Sequence, residues 1–87
     1  MQNYSKETKN RLKRAEGQIR GILRIMEENQ SCRDVTVQLS AVRSALDRTI
    51  ASIVAAHLHD CVAEAVKEGN ETSQAVEEAI VLLTKSR

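Results

Sequence analysis

Apolar positions recur at helical spacing along almost the whole chain. In the first stretch they fall at Leu12, Ala15, Ile19, Ile22 and Met26, with Leu23 and Ile25 beside them. Steps of three and four residues mark one face of a helix. Ser5 is placed to cap its start, and the polar run Glu27-Glu28-Asn29-Gln30-Ser31 ends it. A second pattern starts near Cys32 and meets no breaker until about Lys67. It runs through Val35, Leu39, Val42, Leu46, Ile50 (or Thr49), Ile53, His57 and Cys61. Gly69 and Asn70 stop it, and Asn70 or Thr72 caps a third helix carrying Val76, Ile80 and Leu83. The pattern predicts an all-α chain, a single domain over residues 1–87, with helices at about 5–28, 32–67 and 71–85.

The second helix is too long for its surroundings. A stripe of about 30 residues at 1.5 Å each covers ~45 Å. A compact chain of this size has a radius of gyration of only ~12 Å. One short helix on either side cannot cover such a stripe, so a second copy of the chain is expected against it. Gly17 and Gly21 fall inside the first helix, where each costs ~1 kcal/mol against alanine. Close approach of another backbone is the expected reason.

Composition narrows the class. The 87 residues are 41% hydrophobic and 29% charged, which suits a folded chain better than a disordered one. Tyr4 is the sole aromatic, and Pro, Trp and Phe are absent, which argues against most all-β folds. No apolar run approaches the ~18 residues of a membrane span. With no hydrophobic leader in the first 15 residues, a cytoplasmic location without a membrane partner is expected, and the two Cys are expected as reduced thiols. No acid/base pair, nucleophile triad or phosphate loop is visible, so neither an enzyme nor a small-molecule substrate is expected.

The net charge of +1 hides an asymmetry. Residues 1–25 hold seven Lys/Arg against two Glu, whereas residues 26–60 hold three against five and residues 61–87 again three against five. A basic first helix suggests a polyanion partner; a solvated helix face is the plainer explanation.

Three soft or borderline metal ligands align: Cys32, His57 and Cys61. His57 and Cys61 are four apart and share a helix face, while His59 points elsewhere. Such a pair is a metal or redox site, or merely a small buried hydrophobe beside a satisfied core histidine. Cys32 is 25 residues before His57, which is ~38 Å along a continuous helix, far beyond the ~2–2.3 Å of a metal bond. An antiparallel two-fold pairing near Ala45 and Leu46 would bring Cys32 of one chain to His57 and Cys61 of the other, twice.

The stretches Arg11-Leu12-Lys13-Arg14-Ala15-Glu16-Gly17-Gln18-Ile19-Arg20-Gly21, Cys32-Arg33-Asp34-Val35, Gln38-Leu39-Ser40-Ala41-Val42-Arg43 and His57-Leu58-His59-Asp60-Cys61-Val62 resemble the CsoR family of bacterial repressors. The resemblance covers almost the whole chain, in order. It implies a three-helix protomer, an antiparallel dimer and a homotetramer made of two dimers. It further implies operator DNA binding without a helix-turn-helix, and release of DNA when an inducer binds. In the copper(I) sensors of the family the ligands stand as Cys32, His57 and Cys61 do here. Two thiolates and one imidazole suit Cu(I) and leave Zn(II) short of its usual four ligands. The family's nickel and formaldehyde sensors use other ligands; Cys61, and the lack of an N-terminal His or Pro, argue against both.

The resemblance places an acid supporting the histidine at Glu77, with Glu78 solvated, and DNA contacts at Arg11, Arg14 and Arg48, joined by Lys13. Lys13, Arg20 and Arg43 are less specific, and an ion pair with Glu16, Asp34 or Asp47 is expected of at least Arg43 or Arg48. Two departures point to the persulfide-sensing branch, CstR. Ser31 stands where many copper sensors have an aromatic, and Ser44-Ala45-Leu46-Asp47-Arg48 and Leu82-Leu83-Thr84-Lys85-Ser86 look closer to that branch. That alternative inducer would join Cys32 and Cys61 of two chains by a di- or polysulfide bridge. A third possibility, from another class, is a metal-storage or metallochaperone bundle without DNA.

Overall fold

The computed structural model describes residues 4–86. They form three helices, α1 (Lys6–Glu27), α2 (Cys32–Lys67) and α3 (Ser73–Lys85), with no strand among the described residues. The expected bounds hold to within two residues. Ser5 caps α1 as its position suggested, its Oγ accepting the Thr8 N–H at 3.0 Å. Ser31 does the same for α2, accepting the Asp34 N–H at 3.2 Å. The side chain of Thr72, at the N-cap of α3, makes no capping bond.

Two helix ends share one solution. The N–H groups of Asn29 and Gln30 donate to the carbonyls of Met26 and Ile25, at 3.2 and 3.0 Å. Those of Gly69 and Asn70 donate to Val66 and Ala65, at 3.1 and 2.8 Å. Both are Schellman endings, which need one left-handed residue. Gly69 supplies it at φ 76°; Asn29 supplies it at φ 57°, the side chain best suited after glycine.

The chain divides into two compact units, Met1–Thr49 and Ile50–Arg87. In the first, α1 lies against the opening half of α2. Arg11, Arg14 and Gln18 share a groove with Ala41, Ala45, Arg48 and Thr49, whereas Ile25 shares another with Arg33, Asp34, Val37 and Gln38. The two segments therefore run antiparallel. Their buried residues are Ala15, Ile22, Val42 and Thr49. Thr49 is tolerated inside because its hydroxyl donates to the Ala45 carbonyl at 2.9 Å. In the second unit Val54 and Ala79 are buried.

The stripes are only partly turned inward within the chain. On α1, Ala15 and Ile22 are buried but Leu12, Ile19 and Met26 are exposed. On α3 the stripe Val76, Ile80, Leu83 is exposed, and Ala79, with Ala75 beside it on the same face, is turned in instead. On α2, Leu39 is 46% exposed and Val54, outside the stripe, is 7%. Ile22, Val42 and Val54 are buried with Ala15, Ala79 and Thr49, and many of the other large residues are left over. Nor does the chain itself explain the α1 glycines. A Cβ at Gly21 would meet nothing within 4 Å, and one at Gly17 only the end of the Arg20 side chain at 3.8 Å.

One composition-based expectation changes. Helix α2 contains an 18-residue stretch of mean hydropathy 1.2, long and apolar enough by length and composition to cross a membrane. Unbroken apolar runs miss this, because Ser, Thr and Ala interrupt the Val and Ile without lowering the mean far. A core helix of a water-soluble protein meets the same measure.

Candidate metal centre and polyanion groove

The second unit brings together a nitrogen, a sulfur and an oxygen donor. One helical turn separates His57 from Cys61, and the Cys61 Sγ lies 3.5 Å from Nε2 and 3.9 Å from Nδ1 of the ring. Glu78 approaches from α3, its Oε1 3.5 Å from His57 Nε2. One donor atom from each of the three lies within 4.8 Å of the others. His57 and Cys61 are half-buried and Glu78 is exposed.

This spacing fits a metal. Bonds of ~2.0–2.1 Å to nitrogen and ~2.3 Å to sulfur, at tetrahedral to trigonal angles, put the two donors about 3.5–3.8 Å apart. The pair is thus set for joint ligation without moving the helix, and thiolate with imidazole is a soft-to-borderline set. Cys32 lies in the other unit, as the first residue of α2, exposed, with its Sγ 3.8 Å from Thr36 Oγ1. Both cysteines are free thiols. His59 is exposed beside Asp60, apart from the cluster.

The carboxylate beside His57 belongs to Glu78, where the sequence pointed to Glu77. The reason is the turn of α3. Glu77 belongs with the Val76 and Ile80 face, which is exposed, as Glu77 is. Turning Ala75 and Ala79 inward rotates the helix by about one residue, ~100°, and carries Glu78 to the histidine. Two alanines one turn apart on α3 were the available signal, since small side chains let helices approach.

The first unit gathers charge. Arg11, Arg14 and Arg48 stand around a groove of about 420 Å³ with Gln18, Ala41, Ala45 and Thr49. No carboxylate lines it. Arg11 is held by Glu7 of its own helix at 3.1 Å. Among the described residues neither Arg43 nor Arg48 forms an ion pair, contrary to expectation. Asp47 is the sequence neighbour of Arg48, and adjacent helical side chains diverge. Lys13 is exposed and is not part of the groove lining.

Residues 4–85 match the family model of the metal-sensitive transcriptional repressors. The copper-sensing transcriptional repressor CsoR of Bacillus subtilis is 42% identical over 76 residues, which is 87% of this chain and 74% of that protein. The nickel-responsive transcriptional regulator InrS has a solved structure with a TM-score of 0.81 at 38% identity, covering 98% of this chain and 94% of that one. The copper-sensing repressor CsoR with Cu(I) from Geobacillus thermodenitrificans gives a TM-score of 0.78 at 35% identity, covering 98% and 92%. With soft donors one turn apart on α2 and such relatives over nearly its whole length, the chain belongs to the family of metal-sensitive transcriptional repressors.

Proposed function

We propose that the chain is a DNA-binding repressor whose inducer is Cu(I), held by Cys32 of one protomer with His57 and Cys61 of another. The observation that carries this reading is the 3.5 Å spacing of the His57 ring nitrogen and the Cys61 sulfur. An unbroken α2 from Cys32 to Lys67 supports ligation between chains, since one helix keeps its own two ends apart. The exposed Leu12, Ile19, Val76, Ile80 and Leu83 support an assembly that covers them, an antiparallel dimer and then two dimers together.

Each group has its task. Cys61 and His57 are preset by one helical turn, and Glu78 stands 3.5 Å from the same Nε2 that faces Cys61, holding that edge of the ring toward the site. Cys32 waits exposed at the start of α2. When bound, the metal supplies a bond between protomers that the metal-free assembly lacks. Arg11, Lys13, Arg14 and Arg48 meet DNA phosphates. Metal and DNA then oppose each other with one coupling free energy, so DNA also weakens metal binding.

The exposed, free thiol of Cys32 favours a second reading. Its thiolate would take the outer sulfur of a persulfide donor, releasing the donor as thiolate. Cys61 of another chain would then attack the Cys32 sulfur, expel hydrosulfide and close a disulfide. His57 forms no bond in that sequence.

His57→Ala separates the two. It is expected to abolish release of operator DNA by Cu(I) while polysulfide still yields a Cys32–Cys61 dimer on a non-reducing gel. Wild-type protein that releases DNA with polysulfide but not with Cu(I) selects the persulfide reading. Release by Ni(II) alone selects a nickel sensor, and absence of any operator binding selects a storage bundle.

A further inference from the structure

The arginine groove of the first unit has a shape that phosphate contact along a duplex does not require. Its floor is made of Ala41 and Ala45, whose short side chains leave a hollow between α1 and α2. Its walls carry three guanidiniums and the Gln18 amide, with no carboxylate among the lining residues. Glu7 offsets only Arg11, and neither Arg14 nor Arg48 has an acidic partner among the described residues. Like charges round a concavity focus their field into it. Guanidinium forks bind phosphoryl oxygens in pairs, so three of them around one hollow suit linked phosphoryl groups better than a single singly charged one.

We infer that this groove binds a diphosphate group, free or carried by a nucleotide, and that such a ligand competes with DNA for the same arginines. The competition rests on the DNA reading above; the binding itself does not. A duplex presents singly charged phosphates along a strand, and side chains standing on the surface can meet them. A compact diphosphate carries more charge in less space and enters the hollow. The ligand would loosen the repressor from DNA without touching Cys32, His57 or Cys61.

Calorimetric titration of the metal-free protein tests this, with inorganic pyrophosphate, ADP and orthophosphate each at an ionic strength held constant with NaCl. Saturable binding of pyrophosphate at one per protomer is expected, at least about tenfold tighter than orthophosphate. Arg48→Ala should weaken it at least about tenfold through the lost charged hydrogen bonds. Ala41→Leu should fill the hollow and weaken it as much while leaving every charge in place, with the oligomeric state unchanged by size-exclusion chromatography. Circular dichroism of both variants should match wild type.

Comparable binding of ADP identifies a nucleotide as a source; binding of pyrophosphate alone identifies the free anion. Pyrophosphate should displace operator DNA from wild type. No saturable binding to wild type, or binding that survives both substitutions, overturns the inference and leaves the DNA reading standing. Protein that binds pyrophosphate but no operator loses the DNA reading and keeps the groove.

Discussion

The two units of this chain gather opposite kinds of side chain on the same kind of scaffold, a shorter helix laid against part of α2. Met1–Thr49 holds ten Lys/Arg against six Asp/Glu, a net +4. Ile50–Arg87 holds three against six, a net −3. The first gathers arginines around a hollow without a carboxylate. The second gathers a nitrogen, a sulfur and an oxygen donor within 4.8 Å. Guanidiniums need only charge and rough position to hold an anion, because Coulomb attraction falls slowly with distance. Metal ligation needs donor atoms placed to tenths of an ångström. So the first unit tolerates exposed, flexible side chains, while the second sets its pair on one helical turn and braces it from α3.

Substitutions at the brace test the stricter unit and should have the largest effect. Glu78→Gln keeps the shape and removes the negative charge 3.5 Å from His57 Nε2. Loss of such an outer partner costs about 10–100-fold in metal affinity. Glu77→Gln, one position earlier and exposed, should change Cu(I) affinity less than about twofold, since it leaves that partner in place. Competition against a Cu(I) chelator measures both. Equal losses would mean that the carboxylates act only through overall charge, and the two units would then differ less than their geometry suggests.

How much of this was open to reading in the sequence depends on the kind of feature. Helix bounds were legible because they rest on local chemistry: Ser5 as a cap, Gly69 as a left-handed stop, and apolar steps of three and four between them. The His57–Cys61 pair was legible for the same reason, being four residues apart on one helix. What failed was the choice of face. Leu12, Ile19 and Met26 have the same spacing as Ala15 and Ile22, and Val76, Ile80 and Leu83 look better suited to a core than Ala75 and Ala79. Periodicity reports that a face is apolar, not whether it meets its own chain or another copy. In a protomer built to associate, an apolar stripe is shared between its own core and a second copy, so its bulk does not tell which residues turn inward. Glu77 came from the family resemblance and not from a face; within one chain the carboxylate beside His57 is that of Glu78. The arginine groove was legible as charge but not as a hollow, because the floor is set by Ala41 and Ala45 on another helix.

Charge removal in the first unit should have a smaller, graded effect. Arg14→Ala and Arg48→Ala should each lower the salt dependence of operator binding by about one unit, and the double variant by about two. Charge-neutralising changes in the second unit, such as Glu77→Gln, should leave that slope as it is. Operator affinity by fluorescence anisotropy at several salt concentrations reads this directly. A slope that responds equally to both sets would make DNA binding a property of net charge, and the local excess of basic residues in the first unit would lose its meaning.

The smallest effect concerns Gly21 and asks whether the first unit is complete in one chain. Glycine inside a helix costs ~1 kcal/mol against alanine, since it leaves more backbone freedom to lose on folding. Within the chain nothing stands within 4 Å of a Cβ at Gly21, so the substitution meets no obstacle there. If α1 faces only its own chain and solvent at this point, Gly21→Ala should stabilise by roughly 0.5–1 kcal/mol, with a thermal midpoint raised by ~4–8 °C per kcal/mol in a domain of this size. If another protomer packs its backbone against α1 here, the new methyl group opposes that contact. The midpoint would then fall, and would fall further on dilution, because association contributes to stability by mass action. Thermal unfolding followed by circular dichroism at two protein concentrations tenfold apart separates the outcomes. A rise at both concentrations leaves the glycine a feature of the isolated helix. A fall that deepens on dilution places a second copy against the basic helix, and the two units would then differ in one more respect: the arginine-rich one would border on another chain through its backbone.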